Sequence, residues 1–198
     1  MQSYVENKSI AVIGNAQSLF DFQYGSEIDD HEIVIRINNS AIFYDELSSR
    51  HSHGTKFDVW AFWDYLRTAT MHDSYKTPRM SQYLDSKYNK LDLNMGSKEK
   101  PFIFNEEEFG IETKKNLCLE TGNPSAGLSV LYLLNTLNPK IVNVYGFDFK
   151  RTKTFYKEYN DVDNDRYDSF CRHNYKFEEQ YAKQKFFTQE KFNLIGEI

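Results

Sequence analysis

AVIGNAQSL (residues 11–19) is an apolar run that breaks at Gly14-Asn15, and RINNS (36–40) closes a second apolar run with an arginine and two asparagines. An apolar run stopped by glycine reads as a strand feeding a strand-to-helix turn. The turn of a dinucleotide-binding fold follows Gly-x-Gly-x-x-Gly, which lets the backbone press against a pyrophosphate. Here those positions are Gly14, Ala16 and Leu19, so a dinucleotide oxidoreductase is disfavoured. The asparagine behind the glycine offers a side-chain donor and acceptor at the mouth of the sheet. Such a group suits a ribose, a base edge or a phosphate oxygen.

Working outward, SIAVI (9–13) and EIVIRI (32–37) read as strands, followed by KFDVWAFW (56–63) and PFIF (101–104). PSAGLSVLYLLNTL (124–137) carries apolar residues at helical spacing, with Pro124 and Ser125 suited to a helix start. IVNVYGF (141–147) is a further strand stopped by Gly146. HNYKFEEQYAKQKFF (173–187) reads as a closing helix that Asn174 can cap. Strands alternating with helices predict an α/β fold, with one domain over 1–198 and a Rossmann-like, mostly parallel sheet flanked by helices. Residues 64–100 and 148–172 are polar, charged and aromatic without periodicity. Loops of that length are either functional or disordered, and both are expected over the carboxyl ends of the strands, where open α/β sheets bind ligands.

Composition narrows the function. At 198 residues, 40% hydrophobic and 27% charged, the chain can build one substantial core. Aromatics reach 16%, which suits a core and also sugar-binding surfaces. A net charge of −5 argues against a nucleic-acid partner, whose binding surface is basic. No apolar stretch approaches the roughly 20 residues of a membrane span, and the N-terminus does not read as a leader peptide. Cys118 and Cys171 lack metal-ligand spacing and read as buried, reduced thiols of a cytosolic protein.

Three longer stretches carry a resemblance. IAVIGNAQSLFDFQYGSEIDDHEIVIRINNS (10–40) resembles the long sialylmotif of animal-type sialyltransferases, including YGSEIDDH and the arginine-x-asparagine ending. GNPSAGLSVLYLLNTLNPKIVNVYGF (122–147) is similar to their short sialylmotif, and HNYKFE (173–178) to the very short His-x4-Glu motif. The order is that of the family, and the matches cover most of the chain outside 50–115. GNAQSL (14–19) and GFDFKRTKTFY (146–156) also resemble stretches of the smaller bacterial sialyltransferases, where two tyrosines six residues apart hold the departing phosphate. Tyr156 matches the second tyrosine, and Lys150 stands at the first, where an ammonium can hold a phosphate as a point charge.

The resemblance implies a sialyltransferase GT-A-like variant of the α/β fold and a role for each matching residue. Gly14, Asn15 and Asn38 would bind the CMP part of a CMP-activated donor. Ser125 would meet the nucleotide or the donor carboxylate at a helix start, where free N–H groups and the helix dipole favour anions. Gly146 and Phe147 would line the cytidine site through their backbone. His173 would be the general base, taking a proton from the acceptor hydroxyl, while Tyr156 and Lys150 steady the phosphate. Glu178 would not orient His173, because five residues along one helix put two side chains about 140° apart. It is expected to support the fold or the nucleotide loop.

The implied activity is an inverting, metal-independent transfer of a nonulosonic acid, foremost sialic acid, from its CMP donor to a glycan or glycolipid hydroxyl. A surface glycan such as lipooligosaccharide or capsule is the expected product, made in the cytoplasm or peripherally at the inner membrane. No cofactor or metal is called for: Asp161 and Asp163 of DVDND (161–165) read as a solvated loop. CMP leaves as a single phosphomonoester that Tyr and Lys can stabilise. The basic, aromatic run from Lys150 to Lys191 reads mainly as a solvated face and is compatible with contact to an anionic glycan or a membrane surface. Departures from the animal-type pattern are Ile10 and Pro139 at the positions of a disulfide, Ala126 in place of a threonine, and Phe155 in place of a histidine. A CMP-Kdo or related ulosonate transferase and a non-catalytic nucleotide-binding module are the alternatives.

Overall fold

The computed structural model describes residues 2–37, 50–61, 102–104, 111–155, 164–168 and 173–196. Its centre is a six-stranded sheet in which every pairing is parallel. The strands are β1 (Ser9–Ile13), β2 (Ile33–Ile37), β3 (Val59–Ala61), β4 (Phe102–Phe104), β5 (Ile141–Tyr145) and β8 (Phe192–Ile195). They lie in the order β4-β3-β2-β1-β5-β8. A two-stranded antiparallel ribbon, β6 (Tyr167–Asp168) with β7 (His173–Asn174), stands apart from it.

β1 reads as a continuous apolar run because both its faces are covered. Ile10 and Val12 pack on one side with Leu128, Leu131 and Leu134 of helix α5 (Ala126–Thr136) and with Ala182 and Phe186 around helix α6 (Tyr175–Lys185). Ala11 and Ile13 pack on the other side with Leu19, Tyr145 and Ile28 of the short helix α2 (Gly25–Asp29). The alternation is the two-residue period of a strand, and the result is three layers.

Chain order runs outward from β1 through β2 and β3 to β4, then returns across β1 to β5 and β8. The sheet therefore reverses direction between β1 and β5, the place where open α/β sheets form a ligand crevice beyond their carboxyl ends. Gly14 and Gly146 stand at those two ends.

The expected strand bounds are trimmed rather than moved. Gly146 has φ +65°, which ends β5 at Tyr145, and the helix expected over 124–137 runs Ala126–Thr136 with Ser125 as its N-cap. The helix expected over 173–187 begins at Tyr175, because His173 and Asn174 pair with β6 before Asn174 caps the helix. Elements not expected from the sequence include β8, a helix α4 (Ile111–Thr121), the helical turns α1 (Gln2–Val5) and α3 (Arg50–His53), a 3-10 turn over Gln17–Asp21, α2 and β6. Cys118 is half-buried on α4 rather than buried, and Cys171 lies outside the described residues. Among the described residues, no helix is long and apolar enough to cross a membrane.

The YGSEIDDH stretch serves architecture. His31 Nδ1 donates to Glu27 O (2.8 Å), and Asn143 Nδ2 of β5 donates to His31 Nε2 (3.0 Å). Tyr145 Oη donates to Glu27 Oε1 (2.7 Å), so Glu27 and His31 both tie α2 to the strand that carries Gly146. Asp29 accepts the Thr55 and Lys56 N–H groups (2.8 Å each) and fixes the approach to β3. Arg36, fully buried at the end of β2, donates to the carbonyls of Lys56 (3.0 Å) and His53 (2.8 Å).

Candidate functional site

Why glycine stands at position 14 is a packing question before it is a ligand question. A Cβ there would meet Gly146 O at 2.4 Å and the Phe147 ring at 2.6 Å, and a Cβ on Gly127 would meet the same ring at 2.7 Å. Phe147 is thus seated against two glycines, one after β1 and one in the first turn of α5. Its ring is used for packing. Gly14, Gly127 and Gly146-Phe147 come from separated stretches, and the fold brings them into contact.

A second seam runs beside this one. Gly14 N–H donates to Tyr145 O (2.8 Å), Ala16 N–H to Gly146 O (3.2 Å) and Gln17 N–H to Lys153 O (2.9 Å). Phe155 N–H returns to Asn15 O (3.0 Å), and Ala16 pairs with Thr154 as an isolated antiparallel bridge. The turn after β1 and the loop after β5 are therefore zipped together, placing Asn15 beside the loop that carries Lys150. Asn15 Oδ1 is buried and has no hydrogen-bond partner among the described residues. A buried acceptor left unmet costs free energy, so it marks where a donor group from a ligand would be welcome.

The 148–154 loop is held in a demanding shape. Phe149 and Lys150 have φ of +51° and +65°, a left-handed pair that is uncommon for residues with side chains. Asp148 fixes it by accepting Lys150 N–H (2.9 Å) and Thr152 N–H (2.7 Å), together with the Thr152 hydroxyl. Lys150 Nζ bonds the Thr154 hydroxyl and lies 5.8 Å from the centre of the Tyr175 ring. Strain of this kind gathers at functional loops.

The motif HNYKFE grips the start of α5 from both its ends. Glu178 Oε1 accepts Ser125 N–H (2.8 Å), and its Oε2 accepts the Ser125 hydroxyl (2.5 Å). Ser125 Oγ in turn caps α5 by accepting Leu128 N–H (3.3 Å). Glu178 thus braces a helix N-terminus and does not touch His173. Because the Ser125 hydroxyl is donated inward to Glu178, an anion at this helix start would meet backbone N–H groups of the first turn. Burial pushes the Glu178 carboxyl up to about 7, against the two Ser125 hydrogen bonds that pull it down.

His173 is half-buried on β7, and its Nδ1 lies 2.9 Å from Asn123 O, two residues before Ser125. A carbonyl only accepts, so Nδ1 carries the hydrogen, and the basic lone pair of a neutral ring falls on Nε2. That is the arrangement in which one nitrogen orients the ring and the other can take a proton.

Glu179, the neighbour of Glu178, was not singled out in the sequence. It is buried, and it accepts from Arg151 of the β5 loop, Arg166 Nη1 at the base of the ribbon (2.6 Å) and Lys183 (3.1 Å). Burial works to raise this carboxyl, but the surrounding cations outweigh it and hold it below the usual range. The two consecutive glutamates of α6 therefore brace the α5 start and the β5 loop respectively.

The fold brings Gly14, Asn15, Ser125, Gly146, Phe147 and Lys150 to the carboxyl ends of β1 and β5, with His173 attached to the α5 start. Asn38, Tyr156, Asp161 and Asp163 lie outside the described residues. At the departing positions, Ile10 is buried inside β1 and Ala126 is buried in α5. The Phe155 ring packs 5.1 Å from His53 and 5.7 Å from Phe20. Among the described residues, no cluster of three or more His, Cys, Asp or Glu is arranged to hold a metal ion.

The family model for glycosyltransferase family 29 (sialyltransferase) matches residues 3–55. A β-1,6-galactosyltransferase of Arabidopsis thaliana, GALT29A, is 59% identical over 32 residues, a segment that makes up 16% of this chain and 8% of that protein. A mammalian sialyltransferase superposes with a TM-score of 0.53 at 17% identity, over 97% of this chain and 70% of its own. A mammalian sialyltransferase in complex with Gal-β-1-3GalNAc-ortho-nitrophenol gives 0.56 at 16% identity, over 100% and 72%. The chain thus carries the glycosyltransferase family 29 (sialyltransferase) signature over residues 3–55, and its fold is that of the sialyltransferases.

Proposed function

We propose that the protein is an inverting glycosyltransferase that takes a nonulosonic acid, foremost sialic acid, from its CMP donor to a glycan hydroxyl. The observation that carries this reading is the meeting of three separated stretches at the β1/β5 reversal. Asn15, with its unmet buried acceptor, is joined there to the Lys150 loop, and His173 is oriented through Nδ1. In the reading, Asn15 and Asn38 hold the nucleotide, the first turn of α5 meets an anionic group, and Lys150 with Tyr156 steadies the phosphate. His173 Nε2 accepts the acceptor's proton as its oxygen attacks. Protein donors are enough for a departing phosphomonoester, so no metal is required. The site would work at the cytoplasmic side of a membrane, on surface-glycan acceptors.

CMP should therefore raise the melting temperature, and EDTA should leave the shift intact. Ligand at about 100 times its dissociation constant adds roughly 2.7 kcal/mol to the native state. Asn15→Ala should shrink the shift at equal CMP. The galactosyltransferase relative favours a second reading, in which the same scaffold takes a hexose from a nucleoside diphosphate. Stabilisation by UDP and not by CMP would select that reading and reject the first.

A further inference from the structure

Tyr175 is the first residue of α6 and lies two residues after His173. Its ring centre is 5.7 Å from the His173 ring at an interplanar angle of 62°, and Lys150 Nζ lies 5.8 Å from the same centre. One aromatic ring therefore lies within about 6 Å of both the group assigned to the acceptor's proton and the group assigned to the departing phosphate, with the Lys150 ammonium over it. Its position is fixed from several sides. Tyr175 N–H donates to Arg166 O (3.0 Å), Arg166 is held by Glu179, and Asn174 caps the helix through Phe177 N–H (2.9 Å). The ring packs against the main core on one side and remains partly exposed.

We infer that Tyr175 is a contact residue for the transferred sugar, its ring forming the floor on which the donor pyranose lies between Lys150 and His173. The inference rests on the glycosyltransferase reading above. In a single displacement the anomeric carbon lies between the attacking oxygen and the leaving phosphate, so the transferred ring must lie near both groups, and Tyr175 is an aromatic ring close to each. The acceptor oxygen forms a bond to that carbon and its proton passes to His173 Nε2. The bond from carbon to phosphate oxygen breaks, and its electron pair leaves with CMP. As it breaks, the sugar gains oxocarbenium character, and the electron-rich face of an aromatic ring favours a cation. The phenol hydroxyl is not needed for this, whereas the ring is.

The experiment compares Tyr175→Leu and Tyr175→Phe with the parent, measuring CMP affinity by calorimetry and transfer from CMP-sialic acid by CMP release. CMP lacks the sugar, so its dissociation constant should stay within about twofold in both variants. Tyr175→Leu should lower kcat roughly 3- to 30-fold, the range of a cation–aromatic contact, and Tyr175→Phe should restore it. If Tyr175→Leu transfers at the parent rate, or loses CMP affinity in step with turnover, the ring is structural and the inference is wrong while the glycosyltransferase reading stands. A parent that binds CMP yet releases none from the donor overturns both.

Discussion

His173→Ala should cut sugar transfer by about 10²- to 10⁴-fold, the usual contribution of a positioned general base. The side chain is half-buried on a two-residue strand, and Asn174, which caps α6, is untouched by the change. The variant should therefore fold and bind CMP with little loss, since the base acts on the acceptor and not on the nucleotide. One cost is the bond from Nδ1 to Asn123 O, which helps hold the loop ahead of Ser125. His173→Gln separates the two effects: it can donate to Asn123 without supplying a base, and it should be as inactive as the alanine variant. The parent's pH–rate profile should carry an acidic limb that both variants lose. Parent-level transfer by a folded, CMP-binding His173→Ala variant would remove this residue from the mechanism.

Stability should fall with rising pH because of Glu178. Its carboxyl is raised by burial from 4.5 to about 7. The folded chain therefore holds a proton there more firmly than the unfolded chain. That contribution to stability is complete below about 4.5 and is lost as pH rises through about 7. A displacement of this size corresponds to about 3 kcal/mol. Glu178→Gln keeps an acceptor for Ser125 N–H and cannot ionise. Urea unfolding from pH 5 to pH 8 should show the parent losing stability relative to Glu178→Gln by an amount of that order. A parent-minus-variant difference that stays flat across this range would mean that the Ser125 hydrogen bonds and the helix N-terminus keep the carboxylate charged at no cost.

Much of the central architecture was legible because β1, covered on both faces, appears as an apolar run ended by Gly14, and because β2 and β5 keep enough apolar residues around Arg36 and Asn143 to read as strands. α5 was legible because its apolar stripe and Ser125 cap coincide. α4 was not, since Leu117 is buried while Leu119, two positions on, is 76% exposed, and no stripe forms. β8 has only four residues and contains Asn193, whose side chain is used to reach Asn143 (2.9 Å). The β6–β7 ribbon has two residues in each strand, too few for any period, and this is why His173 was read into the helix that follows it.

At the site, Gly14, Gly146 and the Ser125 cap were legible from local backbone signals, whereas the roles of Asn15, Phe147, Lys150 and His173 came through the resemblance to a family. The Glu179 clamp on Arg151 and Arg166 was not legible, because its partners lie 28 and 13 residues away on elements that the sequence did not define. The inward use of the Ser125 hydroxyl was hidden for the same reason: Glu178 is 53 residues distant. Phe147 posed a different problem. Its ring fills the space of two absent Cβ atoms, and only the assembled fold shows which glycines it needs.

Catalytic transfer from a CMP-linked sugar is tested most directly by incubating the purified chain with CMP-sialic acid and a panel of glycan acceptors. Released CMP and acceptor mass are followed together. CMP should appear in equal amount to an acceptor product heavier by one sialic acid residue, with the anomeric configuration inverted and the yield indifferent to EDTA. Tight CMP binding with neither CMP release nor a heavier acceptor, across sialic acid and Kdo donors alike, would contradict it and leave a nucleotide-binding module.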